Sequence, residues 1–162
     1  MDIVIIGSGN VAAVLGRKFK LAGHHILQIY SRNASAASEL AYEWDTESTN
    51  YKTMINSNAD LYLIAVNDDS ISDVIKDLRL PEKIVVHTAA SVPKEILQPV
   101  SNHFGVFYPL QSLRKEMTAI PDAPIFIDGS DEKTKAVLDK LAHSIADEKV
   151  IQAGDDARLK LH

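Results

Sequence analysis

The chain opens MDIVIIGSGNVAAVLGRKF, and no other stretch constrains the fold so strongly. Ile3, Val4, Ile5 and Ile6 form an unbroken run of branched apolar side chains, the composition of a strand buried on both faces of a parallel sheet. The run ends at glycine, and Gly7-Ser8-Gly9-Asn10-Val11-Ala12 fits the pattern G-x-G-x-x-[GA]. Val11, Val14, Leu15 and Phe19 then recur on one face of a helical pattern. Strand, glycine turn and helix in this order predict the start of a doubly wound, mainly parallel α/β sheet, a three-layer Rossmann arrangement that binds a dinucleotide.

Each motif residue has its own chemical reason. Gly7 permits a tight turn out of the strand, Gly9 lets the backbone approach a pyrophosphate with no side chain in the way, and the small Ala12 lets the helix pack closely on the strand. The helix N-terminus offers backbone N–H groups and a partial positive charge to the phosphates, so no cationic side chain is needed there.

The second strand selects the nucleotide. Binders of unphosphorylated NAD, and usually of FAD, carry an acid roughly 20 residues past the glycines to hold the adenosine ribose hydroxyls. Here His25-Ile26-Leu27-Gln28-Ile29-Tyr30 reads as that strand, and Ser31-Arg32-Asn33 follows with no acid. The Arg32 guanidinium can fork onto a 2′-phosphate while Ser31 and Asn33 donate further hydrogen bonds. The expected cofactor is therefore NADP. An S-adenosylmethionine or FAD site is disfavoured by the missing acid.

Composition sets the class and removes alternatives. With 162 residues, 46% hydrophobic and 24% charged, the chain can bury one substantial core. The net charge is −5, and the 17 basic residues are scattered, which argues against nucleic acid or an anionic membrane as partner. The absence of cysteine excludes a disulfide scaffold, a thiolate metal site and a cysteine nucleophile, and it suits a reducing, cytoplasmic setting. No metal is expected, and the opening apolar run is too short for a signal h-region or a membrane span.

The remaining elements alternate. Ala34 to Trp44 has helical spacing with Trp44 in the core, 45–50 has room for a short edge strand, and 51–58 for a helical turn. Asp60 to Val66 reads as a buried strand, followed by a helix holding Ile71, Val74, Ile75 and Leu78. Asp68 or Asp69 is expected to cap that helix rather than to act in catalysis. Lys83 to His87 is the next strand, and Thr88-Ala89-Ala90 at its end suits close approach by a nicotinamide. Val92 to Leu97 reads as a short helix with proline in its first turn. His103 to Pro109, Pro124 to Gly129 and Lys149 to Gln152 complete the strands, with a helix over 131–146. Catalytic candidates are His87, whose ordinary pKa lies near neutrality, and Tyr108 and Gln111 on the loop side of the strand ends. Each has a structural alternative: a strand-end histidine, a core tyrosine, an exposed loop glutamine.

Taken together, IVIIGSGNVA, YSRN, AVNDDSI, VVHTAASVP and GVFYPLQSL resemble the NADP-binding domain of pyrroline-carboxylate reductase-like and prephenate dehydrogenase-like oxidoreductases. In particular they resemble Rossmann-like NADP oxidoreductases that carry an uncharacterised helical C-terminal domain. The resemblance implies that Gly7, Gly9, Asn10, Val11 and Ala12 form the pyrophosphate loop, Ser31 and Arg32 the 2′-phosphate site, and Val66, Asn67 and Thr88 the nicotinamide-side wall. Ala89-Ala90 stands where such proteins carry Ser-Gly, which removes a hydroxyl contact. The resemblance also implies domain limits: 1–153 for the NADP-binding domain, and 154–162 for the start of a helix leading to a C-terminal domain, absent here, that builds a homodimer and closes the substrate pocket. The expected activity is hydride transfer to or from a small carbonyl, imine or hydroxy compound. A non-catalytic NADP sensor is the alternative.

Overall fold

The computed structural model describes residues 1–110, 124–146 and 150–160. Strand β1 (Asp2–Ile6) leads into helix α1 (Asn10–Leu21), strand β2 (His25–Tyr30), helix α2 (Ala34–Glu43) and the short strand β3 (Glu47–Thr49). A 3-10 turn at Lys52–Met54 precedes β4 (Leu61–Ile64), another at Asp68–Ser70 runs into α3 (Ile71–Ile75), and β5 (Ile84–His87) follows. A further 3-10 turn at Lys94–Leu97 leads to β6 (His103–Pro109), and then come β7 (Ile125–Gly129), α4 (Glu132–Ala146), β8 (Val150–Gln152) and α5 (Asp155–Lys160).

Among the described residues eight strands make one sheet in the order β3-β2-β1-β4-β5-β6-β7-β8. Pairing is parallel from β3 to β6, antiparallel between β6 and β7, and parallel again between β7 and β8. The strand order reverses at the β1/β4 boundary, and in open α/β sheets that reversal leaves a crevice at the carboxyl ends of the strands.

The unbroken apolar run of β1 is explained by the layers on either side of it. Ile3 and Ile5 point into a core with Ala12, Leu15 and Phe19 of α1, Leu40 of α2 and Leu138 of α4, whereas Val4 and Ile6 point into an opposite core with Ile71, Val74 and Leu97. A strand covered on both faces has no polar side to display. Trp44 is buried, as expected, and its ring closes the α1/α2 contact: a Cβ on Gly16 would stand 2.3 Å from it.

Three local expectations are corrected. Helix α3 stops at Ile75, short of Leu78, because Lys76 turns extended and Asp77 takes a positive φ of 64°. The Lys52 ammonium binds the carbonyl oxygens of Asp73 and Lys76, satisfying the helix's last turn from outside. Pro93 precedes its 3-10 turn instead of lying within it. Neither Asp68 nor Asp69 caps α3 with its side chain; the Asp68 carboxylate accepts from the Ser91 hydroxyl in the loop after β5.

At the far side of the sheet, Lys94 Nζ lies 3.0 Å from Asp128 Oδ2 on β7 and 3.6 Å from Asp155 Oδ2 at the start of α5. Burial works against the ammonium charge, but Asp128, Asp155 and Glu95 outweigh it and raise the Lys94 pKa.

Candidate functional site

A cleft of about 960 Å³ opens at the carboxyl ends of β1, β2, β4, β5 and β6, where the topology places it. The end of β1 forms its floor. Gly7 has φ +124°, its N–H donates to Tyr30 O at 2.7 Å, and a Cβ there would meet Ala65 O at 2.1 Å. The chain can therefore leave the sheet between β2 and β4 only as glycine.

Gly9 is a different case. Its φ of −82° and ψ of −163° are open to any residue, and a Cβ there would meet no atom within 4 Å. Neither backbone strain nor packing explains the glycine. The space a methyl would fill belongs to the cleft, directly over the start of α1, whose N-terminus has no side-chain cap and no acid in its first turn. That cradle fits a pyrophosphate: anionic oxygens would receive backbone N–H groups and the positive end of the helix dipole.

The structure brings Gly7, Gly9, Asn10, Val11, Ser31, Arg32, Asn33, Val66, Asn67 and Thr88 together as walls of this one cleft. Ala12 does not join them. It is wholly buried beneath the loop in the α1 core, so its small size serves helix packing and offers no contact to a ligand.

The loop after β2 is already hydrogen-bonded. Ser31 is 7% exposed; its Oγ accepts the Asn33 N–H at 3.1 Å and shares a hydrogen bond of 2.7 Å with Ser8 Oγ. Asn33 Oδ1 accepts the Ala36 N–H at 3.0 Å and so caps α2, while its amide hydrogens can donate to a ligand. Arg32 reaches across the cleft, with Nη1 3.1 Å from Asp73 Oδ2 and Nη2 3.3 Å from Ser70 Oγ. Among the described residues lining the cleft, Arg32 is the one cation and Asp68 the one carboxylate. No acid stands at the end of β2, where one would be needed to bind ribose hydroxyls.

The catalytic candidates separate. His87 is completely buried and does not line the cleft: Nδ1 accepts the Ala89 N–H at 3.0 Å, so the other ring nitrogen, 3.3 Å from Pro93 O, carries the proton and donates to it. Its imidazole holds the loop after β5 in shape. Tyr108 lines the cleft beside Pro109 and Leu110 and stacks obliquely on Phe126 at 6.2 Å. Burial raises its pKa and the Asp68 charge adds to the shift, so the phenol stays protonated at neutral pH. Gln111 lies outside the described residues.

Eight lining residues escaped the sequence reading as ligand contacts: Ser8, Tyr30, Ala65, Asp68, Ser70, Val74, Pro109 and Leu110. Ser8 lies inside the motif, and Tyr30 is the last residue of β2, so both were within reach. Ser70 and Val74 follow β4 and face the β2 loop only because those two strands flank β1 in the sheet. Among the described residues no group of histidine and carboxylate side chains could hold a metal ion, and no helix is long and apolar enough to cross a membrane.

Comparison with known proteins finds the same fold in nucleotide-dependent oxidoreductases. A protein from Bacteroides fragilis described as an NADP oxidoreductase is 32% identical, with a TM-score of 0.90 over 99% of this chain and 63% of its own. Prephenate dehydrogenase from Aquifex aeolicus, solved with hydroxyphenyl propionate and NAD+, shares 11% identity with a TM-score of 0.82 over 98% of this chain and 61% of its own. Pyrroline-5-carboxylate reductase from Streptococcus pyogenes shares 17% identity, with a TM-score of 0.75 over 96% of this chain and 59% of its own. The last two likenesses are of fold. This chain thus spans about 60% of the length of the structures it matches. None of the curated proteins matches its sequence. Residues 2–91, which carry the β1 glycine turn, the Arg32 loop and the strand ends up to the loop after β5, match the family described as "NADP oxidoreductase coenzyme F420-dependent", and the chain belongs to that family of NADP-using oxidoreductases.

Proposed function

We propose that this chain binds NADP(H) in the cleft over α1 and serves an enzyme that moves hydride to or from a small carbonyl, imine or hydroxy compound. The observation that carries the reading is Gly9, a glycine that the fold does not require, set over an uncapped helix N-terminus. Bound there, the nicotinamide supplies the hydride chemistry. The chain's own residues have the other tasks. Gly9, Asn10 and Val11 receive the pyrophosphate on backbone N–H groups, and Arg32 meets the 2′-phosphate with Ser31 beside it. Val66, Asn67 and Thr88 wall the nicotinamide end, and Tyr108, kept protonated, serves as proton donor when hydride is added to the substrate.

In the same reading, residues 154–162 begin the helix of a further helical domain, through which a longer form of the protein is a homodimer in the cytoplasm. For the start of that helix alone, support comes from α5, which begins at Asp155 with Oδ2 3.6 Å from Lys94 Nζ.

Calorimetry tests the binding half. NADPH should bind wild type at least tenfold more tightly than NADH, S-adenosylmethionine should not compete, and Arg32→Ala should abolish the preference. Equal affinities for the two dinucleotides would remove the 2′-phosphate argument. Turnover is tested on the longer form that carries the further helical domain, because this chain by itself should bind cofactor with little or no turnover: NADPH oxidation is followed against a panel of carbonyls, imines and coenzyme F420. Tyr108→Phe should leave NADPH affinity within twofold and lower kcat by about 100-fold. An unchanged kcat would take Tyr108 out of the chemistry, and nucleotide binding with no turnover on any acceptor would favour a sensor.

A further inference from the structure

We propose that Asp73 sets the strength of NADP selectivity by competing with the 2′-phosphate for Arg32; the proposal rests on the reading of Arg32 given above. Arg32 stands on the loop after β2, yet its guanidinium ends on the far wall of the cleft at α3, 3.1 Å from Asp73 Oδ2 and 3.3 Å from Ser70 Oγ. Asp73 itself does not line the cleft; it stands behind the guanidinium that does. Both side chains are about 60% exposed, so the pair can part without leaving a buried charge.

Counting donors gives the conflict. A bidentate grip on a phosphate needs two parallel N–H groups on one edge of the fork. In this structure Nη1 is committed to Asp73 and Nη2 to Ser70, so the terminal edge is occupied. A 2′-phosphate must either displace the carboxylate or share the same guanidinium with it, within a few ångströms of a like charge. Ser70 is no obstacle, because its hydroxyl can turn to donate to the phosphate once the guanidinium moves. Lys52, the neighbouring cation, is bound to the backbone carbonyls of Asp73 and Lys76, so Arg32 is the cation hydrogen-bonded to the Asp73 carboxylate. A 2′-hydroxyl brings no charge and has no reason to break the pair. Asp73 therefore penalises NADPH and leaves NADH alone, and it holds Arg32 across the adenosine side of the cleft while no phosphate is present.

The experiment titrates wild type, Asp73→Asn, Asp73→Glu, Asp73→Ser and Arg32→Ala with NADPH and with NADH at low and at high salt, with thermal unfolding as the control for folding. Asp73→Asn and Asp73→Ser should tighten NADPH about three- to tenfold and leave NADH within twofold. Asp73→Glu, which keeps the carboxylate, should stay near wild type. The gain should shrink at high salt, since exposed charges are screened, and a merely structural role for Asp73 would show no such dependence. Unchanged or weaker NADPH binding in both neutral variants, with wild-type selectivity intact and lost in Arg32→Ala, would overturn the role of Asp73 alone. If wild type does not prefer NADPH and Arg32→Ala changes nothing, the reading of Arg32 falls, and this proposal with it.

Discussion

Replacing Gly9 by alanine separates what the fold needs from what the ligand needs. The new methyl meets nothing within 4 Å, and its backbone angles are ordinary for alanine. Two small effects on stability oppose each other. Alanine is a poorer N-cap than glycine by about 0.5–1 kcal/mol, while its stiffer unfolded chain returns about 0.4–1 kcal/mol. The variant should therefore unfold within about 0.5 kcal/mol of wild type. Binding is another matter. A charge-assisted N–H···O contact sits at about 2.8 Å, whereas a methyl carbon keeps other heavy atoms about 3.5 Å away. The pyrophosphate must retreat, and losing one such hydrogen bond, worth about 1.5–3 kcal/mol, weakens affinity about 10- to 150-fold. Because the pyrophosphate is common to both dinucleotides, NADPH and NADH should weaken by the same factor, unlike in Arg32→Ala. Urea unfolding and isothermal calorimetry give the two readouts. A Gly9→Ala protein that binds NADPH like wild type would refute the cradle, and one that fails to fold would refute the claim that the protein does not itself need this glycine.

Other substitutions have outcomes set by their surroundings. Gly7→Ala, with φ +124° and a Cβ 2.1 Å from Ala65 O, should cost at least about 3 kcal/mol from strain and overlap together; a stable variant in urea unfolding would contradict the turn geometry. Lys94→Met leaves the Asp128 carboxylate buried without its cation, which should cost about 3 kcal/mol, and adding Asp128→Asn should restore most of it; a loss below about 1 kcal/mol would mean the pair contributes little. Asp131 accepts the Thr134 N–H at 2.7 Å at the start of α4, and that bond first, with help from His103, holds its pKa below the usual carboxylate value. A depressed folded-state pKa gives stability that is present above the unfolded value, near pH 4, and is lost as the pH falls through the folded value. Wild type should thus exceed Asp131→Ala by about 1 kcal/mol at pH 7, with the gap closing below pH 4; a gap that widens on acidification would reverse the assignment.

How much of this was legible in the sequence depends on whether a feature is local. The β1 turn was, because a buried strand, a glycine pair and an amphipathic helix all declare themselves within twenty residues. The strand positions were legible for the same reason. The reversal of β7 was not, since a strand buried on both faces reads alike in either direction, and Ile125, Phe126 and Ile127 carry no mark of pairing. At the site, the missing acid after Tyr30 could be seen, but the occupation of Arg32 by Asp73, 41 residues away, could not. The N-cap role of Asn33 was open to reading, since asparagine directly before a helical pattern is a start signal. The structure also distinguishes residues that share one motif: Gly7 and Gly9 look equivalent in the sequence, yet only the first is demanded by the protein's own atoms.

The most direct test of the central claim is a crystal structure of the chain grown in saturating NADPH. The account predicts pyrophosphate oxygens within hydrogen-bond distance of the backbone N–H groups at the start of α1, and a 2′-phosphate on the Arg32 guanidinium with the Asp73 contact lengthened or broken. A nucleotide bound anywhere else, or a cleft left empty at saturation, would contradict it.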